Sequence, residues 1–134
     1  MTFDIPAPVH FMAIILGSLG TYLFGRWDSV IQVLLVLVVL DYLTGVMAAY
    51  ASRTLNSQKG FRGILKKVCI FAIVATANIL DGITGMPDPL LRTTVLWFFI
   101  ANEGLSILEN SASMGLPLPV TLIEALERLK TRKD

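Results

Sequence analysis

The chain reads as an all-α integral membrane protein: a small bundle of four transmembrane helices, or three with the first segment lying in the interface, plus a short C-terminal amphipathic helix. Three observations predict this class. Apolar residues other than glycine make up 54% of the 134 residues, and mean hydropathy is +0.70. Soluble domains reach about 45–50% only with glycine included, so the excess points to lipid. Four apolar segments, at about 9–24, 29–51, 64–83 and 90–114, compare with the ~20 helical residues that a ~30 Å hydrocarbon core requires. None shows the ~10-residue alternation of barrel strands. The length suits a single membrane domain over 1–134.

The first segment is short, contains Gly17, Ser18 and Gly20, and sits at the lower edge of spanning length. Its leader, "MTFDIPAPVH", holds Asp4 and two prolines but no Lys or Arg. Secretory signals open on a basic region, so a retained span is expected. The second segment is the most apolar, with "VLLVLVVL" at its centre. Asp41 lies near its middle, where an ionised aspartate costs about 2.5–3.5 kcal/mol. It must face a bundle interior or water. With no Lys or Arg expected at matching depth, an ion-pair partner within the chain is not expected, and Asn78, Asn102 and Glu103 are the candidates for hydrogen bonding. Thr44 adds a second polar position. Gly45, Ala48 and Ser52 follow Asp41 on one face of small residues, suited to close helix packing and to contact between copies.

A basic connection, 52–63, precedes the third segment. Between residues 52 and 67 lie Arg53, Lys59, Arg62, Lys66 and Lys67, with no acid. The positive-inside rule places this connection in the cytoplasm, together with the tail, 117–134, which carries Arg128, Lys130, Arg132 and Lys133. The connections "GRWD" and "DGITGMPDP", with Arg92 just beyond, fall on the opposite side. With four spans the N-terminus is cytoplasmic, and with three it is outside. Trp27 and Trp97 fit interfacial anchors, and Cys69 reads as a small buried hydrophobe.

The fourth segment contains "LWFFIANEGLSILENSASMG". Its apolar run, 95–101, contributes roughly −3 kcal/mol, while two glutamates near mid-helix add on the order of +5. Alone against lipid, such a helix should not insert. At 100° per residue, however, Asn102, Ser106, Glu109 and Ser113 share a stripe flanked by Glu103 and Asn110, an arc of about 120°. Four helices enclose too little volume for so many polar groups, so a ring of copies around shared water is expected. In the alternative, the membrane ends near Leu108 and Glu109 and Asn110 lie in the interface. Gly115 can stop this helix. Beyond "GLPLP", Thr121 and Glu124 have capping-box spacing, and Leu122, Ile123, Leu126 and Leu129 share one face. That face either docks on a membrane or partner or belongs to a solvated tail helix.

Several function classes lack raw material. Net charge is +1, with one cysteine and one histidine, His10. This offers no case for nucleic acid, no disulfide or CxxC site, no metal-ligand set and no cofactor motif. No nucleophile, base and oxyanion site assemble, so no enzyme is expected.

Taken together, "LDYLTG" in a span, "KGFRGILKK" in a basic connection and "NEGLSILENSASMGLPLP" in the last span resemble the phage holin family that also includes clostridial toxin-secretion holins. The resemblance covers about 36–126. It implies a multi-pass protein of the bacterial host's inner membrane that forms homo-oligomers and opens lesions releasing an endolysin, a functional partner without direct binding. Carried onto this chain, Asp41, Thr44, Asn102, Glu103, Ser106, Glu109 and Asn110 would provide polar lining or oligomer contacts. Arg53, Lys59, Arg62, Lys66 and Lys67 would hold the basic connection on anionic headgroups. A small channel or transporter subunit, and an antiholin-type regulator, are the competing readings.

Overall fold

The structure is a computed structural model that describes residues 4–131. Five helices follow one another: α1 (Ala7–Phe24), α2 (Ser29–Ala51), α3 (Ser57–Thr84), α4 (Leu90–Ser113) and α5 (Val120–Thr131). No strand occurs among the described residues. By length and composition α1, α2 and α3 are apolar enough to cross a membrane. The expected ambiguity fell on the first segment, but α4 is the helix outside that set. Its 24 residues suffice in length, whereas Arg92, Asn102, Glu103, Glu109 and Asn110 lower its hydropathy.

Short connections (25–28, 52–56 and 85–89) make successive helices alternate in direction. α4 packs along α2 and against α3, while α1 leans on α3 and α2 meets α3 only lightly. The core follows helical spacing. Ile31, Leu34, Val38 and Asp41 form the buried stripe of α2, and Ile70, Val74, Ala77 and Asp81 that of α3. Leu96 of α4 closes the apolar centre between them. α1 buries no residue, although Phe24 at its end meets Phe71 edge-on at 6.1 Å. Outside, Ile14, Leu16, Val36, Val39, Val68 and Trp97 are exposed, the arrangement expected where lipid is the solvent.

Helix ends explain where the segments depart from expectation. The Asn56 side chain accepts hydrogen bonds from Gln58 N (2.8 Å) and Lys59 N (3.3 Å). That cap starts α3 at Ser57, so the connection expected over 52–63 shrinks to 52–56, and Lys59, Arg62, Lys66 and Lys67 are all helical. α4 starts after Pro89, which has no capping side chain. Asp81 of α3 takes that role, accepting from Leu91 N (3.0 Å) and Arg92 N (2.7 Å). A carboxylate there satisfies orphan amides and complements the helix dipole. Asp81 is thus a buried helix residue, not the connection residue expected. Gly115, at φ 88°, ends α4 as expected. α5 begins at Val120, so Thr121 lies inside it and does not form a capping box with Glu124. Of the apolar face and cations expected in the tail, the side chains of Leu126, Leu129 and Lys130, as well as Arg132 and Lys133, lie outside the described residues.

Gly25 is the position where backbone freedom matters. Its φ is 75°, and an added Cβ would stand 2.5 Å from Asn78 Oδ1 and 3.1 Å from Arg92 Nε. Gly25→Ala is therefore expected to cost about 1–3 kcal/mol, read as a lower midpoint of thermal unfolding in detergent. An unchanged midpoint would show that the 25–28 turn yields freely.

Candidate functional site: a charged cleft between α2, α3 and α4

The polar residues of α2 and α4 meet inside the protomer. Lys67 of α3 points between Asp41 of α2 and Glu103 of α4, its Nζ bonding Asp41 Oδ2 and Glu103 Oε2. Asn110 of α4 donates from Nδ2 to Asp41 Oδ1 (3.0 Å), Asp41 O (3.2 Å) and Thr44 Oγ1 (3.0 Å). Thr44 Oγ1 in turn donates to Leu40 O (2.8 Å). Glu103 is 2% exposed, and among the described residues no buried side-chain nitrogen or oxygen lacks a partner.

One expectation is corrected here. Asp41 does have an ion-pair partner within the chain. The sequence places Lys67 at the membrane surface, three residues beyond an α3 start near residue 64. With the start at Ser57, Lys67 lies ten residues in, about 15 Å along the helix. Part of the polar arc of α4, Glu103 and Asn110, also finds partners within the protomer. Lys67 pairs with both Asp41 and Glu103, beside a cleft of about 750 Å³. Asn102, Ser106 and Asn110 line that cleft with Glu103, as does Gly45, whereas Glu109 is exposed and Ser113 lies outside the lining.

The small-residue face of α2 turns mainly inward. An added Cβ at Gly45 would meet Asn110 Nδ2 at 3.6 Å. Ala48 is half-buried, and Ser52 at the helix end donates from Oγ to Ala48 O at 3.0 Å. Close packing at Gly45 is thus made with α4 of the same chain. Of the basic residues, Lys59, Lys66 and Lys67 line the cleft, while Arg53 and Arg62 do not. Cys69, expected to be buried, is exposed and lies on the cleft wall.

A second polar cluster ties the opposite end of the bundle, with the apolar core between the two. Arg92, 4% exposed, donates from Nε to Phe24 O (2.7 Å), from Nη2 to Arg26 O (2.7 Å) and from Nη1 to Asp28 Oδ2 (3.0 Å). Asn78, a candidate partner for Asp41, is here instead. Its Nδ2 donates to Tyr22 O and Leu23 O, both at 3.1 Å, and so caps α1. Sequence reasoning missed this cluster because Arg92 and Asp81 resemble ordinary connection charges. The available signal was Pro89, which announces a helix start that cannot cap itself.

Asp28 lies in the 25–28 connection. Its hydrogen bond from the Arg92 guanidinium holds the carboxyl below its ordinary value of 3.8, against the opposing effect of burial. A depressed folded value means that this contribution is present above the unfolded value, about pH 4, and is lost as pH falls through the folded one. Asp28→Asn should therefore lower stability at neutral pH and flatten its decline below about pH 4, measured as the midpoint of thermal unfolding in detergent from pH 2 to 7. An unchanged decline would place the acid sensitivity elsewhere.

Comparison with known proteins agrees with this architecture. The profile described as the bacteriophage holin family matches residues 18–131. An uncharacterized 14.9 kDa protein of Clostridium perfringens is 44% identical over 118 residues, 88% of this chain and 89% of its own length. An uncharacterized protein of Listeria monocytogenes is 41% identical over 106 residues, 79% of this chain and 75% of that one. A probable holin of Bacillus phage phi105 is 37% identical over 113 residues, 84% of this chain and 82% of that one. No solved structure matches. With the family profile covering the three packed helices and the cleft, and three helices apolar enough to span a bilayer, this membrane-embedded, non-enzymatic chain belongs to the bacteriophage holin family.

Proposed function

We propose that the chain is a phage or prophage holin: it collects as homo-oligomers in the cytoplasmic membrane of a bacterial host and opens lesions that release an endolysin to the cell wall. The observation that carries this reading is the Asp41–Lys67–Glu103 triad within a chain of the holin family. α4 is poorly soluble in lipid alone, and the triad gives its carboxylate a partner inside the protomer. A helix held that way has a second option, because once enough copies accumulate the same polar arc can face water shared between protomers. Asp41, Thr44, Asn102, Glu103, Ser106, Glu109 and Asn110 are then the residues available for lining or inter-protomer contact. The basic stretch 52–63 and the tail face the cytoplasm, as the positive-inside rule implies.

The test is timed lysis. Expression together with a cytoplasmic endolysin should collapse membrane potential after a delay and lyse the culture. Persistent potential and viability at high expression would exclude lesion formation. The cleft itself favours one other reading, a small ion-conducting channel, which would show graded, ion-selective conductance without passage of endolysin. An antiholin would instead delay lysis by a co-expressed holin.

A further inference from the structure

The mouth of the cleft has a chemistry that the triad does not use. Lys59, Gly63 and Lys66 are spaced by four and three residues along α3, on one helical face, and all line the cleft. Tyr42 of α2 forms the facing wall. An added Cβ would meet Tyr42 Oη at 3.5 Å from Gly60, and the Tyr42 ring at 3.7 Å from Gly63. Side chains larger than alanine at these glycines would occupy the opening, so glycine keeps it clear. The charged groups of the lining are Lys59, Lys66 and Lys67 against Asp41 and Glu103. Three cations less two carboxylates leaves one positive charge. Lys67 and its two carboxylates together carry one negative charge, so the mouth, with Lys59 and Lys66, carries two positive charges and the lining as a whole one. Below the mouth the wall turns apolar, through Cys69, Ile73 and Phe99, and Cys69 and Ile73 are exposed on the outer surface of α3.

We propose that this cleft binds the headgroup of one anionic phospholipid, its phosphate held between Lys59 and Lys66 and its acyl chains leaving past Cys69 and Ile73 into the bilayer. A single phosphodiester charge matches the single positive excess. The 750 Å³ volume lies within the ~300–1,000 Å³ of ordinary ligand pockets and accommodates a headgroup while the chains remain in lipid. General attraction of a basic segment to a membrane needs no pocket and treats all its cations alike. A site in the cleft does not, because Arg53 and Arg62 lie outside it. The inference rests on the proposed cytoplasmic position of the 52–63 end.

The test compares variants of equal charge. The purified full-length protein in detergent is mixed with phosphatidylglycerol or phosphatidylcholine, and bound lipid per protomer is read by native mass spectrometry. One retained phosphatidylglycerol is expected, with retention falling roughly fivefold for each of Lys59→Gln and Lys66→Gln. Arg62→Gln should leave it unchanged, and the charge-neutral Gly63→Leu should reduce it by filling the opening. Circular dichroism identifies any variant that fails to fold, and those that fold decide the matter. Equal losses with Arg62→Gln, equal retention of phosphatidylcholine, or displacement by inorganic phosphate would each overturn the lipid site. Timed lysis is scored separately. Normal lysis without selective lipid retention would sink this site and leave the holin reading standing, whereas selective retention without lysis would do the reverse.

Discussion

Lys67→Met is expected to destabilise the protein by about 3–5 kcal/mol, the range observed when one partner of a buried ion pair is removed. The reason is what remains. Without the ammonium, Asp41 and Glu103 are two carboxylates beside each other in a low-dielectric setting, with Asn110 donating to Asp41. Against a total stability of about 5–15 kcal/mol for a folded domain, that loss should release α4 from α2 and α3. A cysteine placed at Leu96, fully buried in the parent, should then react with a thiol reagent in membranes after Cys69 is replaced by serine. Removing the carboxylates as well, as Lys67→Met with Asp41→Asn and Glu103→Gln, should recover much of the loss, because the groups left behind no longer carry charge. Glu103→Gln alone leaves Lys67 with Asp41 and should cost less than Lys67→Met. If Lys67→Met matched the parent in stability and in labelling, the triad would not be what holds α4. In cells, whatever Lys67→Met protein accumulates should lyse earlier than the parent, since the interior partner that retains α4 is gone.

Arg92→Met should cost a similar amount, about 3–5 kcal/mol, but at the other end of the molecule and with a different readout. Its guanidinium joins α4 to the 24–28 turn through two backbone carbonyls and the Asp28 carboxylate. Its loss leaves all three acceptors short of a donor. Arg92→Lys should not restore stability, because a compact ammonium cannot reach several acceptors with the planar fork of an arginine. α1 has few other attachments, chiefly Asn78 at its C-terminal carbonyls and the Phe24–Phe71 contact. The expected signature is therefore proteolysis within 25–28 while α2, α3 and α4 stay resistant. Cleavage spread over all connections would instead show that the bundle has no separate α1 attachment.

The two predictions concern different degrees of legibility. α2 could be read to its ends, because a run of Leu and Val with Asp28 ahead of it leaves little freedom in where the helix begins and stops. α3 was harder. Its first seven residues, "SQKGFRG", are polar and glycine-rich, and hydropathy cannot distinguish such a stretch from a loop. The Asn56 cap decides it, and that one boundary moves Lys67 from the membrane surface to the centre of the site. Arg92 and Asp81 illustrate a second limit. A charged residue near a helix end is usually solvated, and nothing local in the chain distinguishes it from one bonded to a turn 66 residues away.

What the sequence by itself determined is the class of molecule: lipid-facing helices, a polar arc on the fourth, and a basic, acid-free end. These follow from composition and from the 3.6-residue period, both local properties of the chain. Only the tertiary structure decided where the polar arc points. The answer depends on which helix supplies a counter-charge at the same depth, and that is settled by three helices meeting, not by any one of them. Lys67, Asp41 and Glu103 lie 26 and 36 residues apart in the chain. They share one site because α3 starts early and α4 packs along both α2 and α3. Glu103 and Asn110 of α4 consequently find their partners within one protomer.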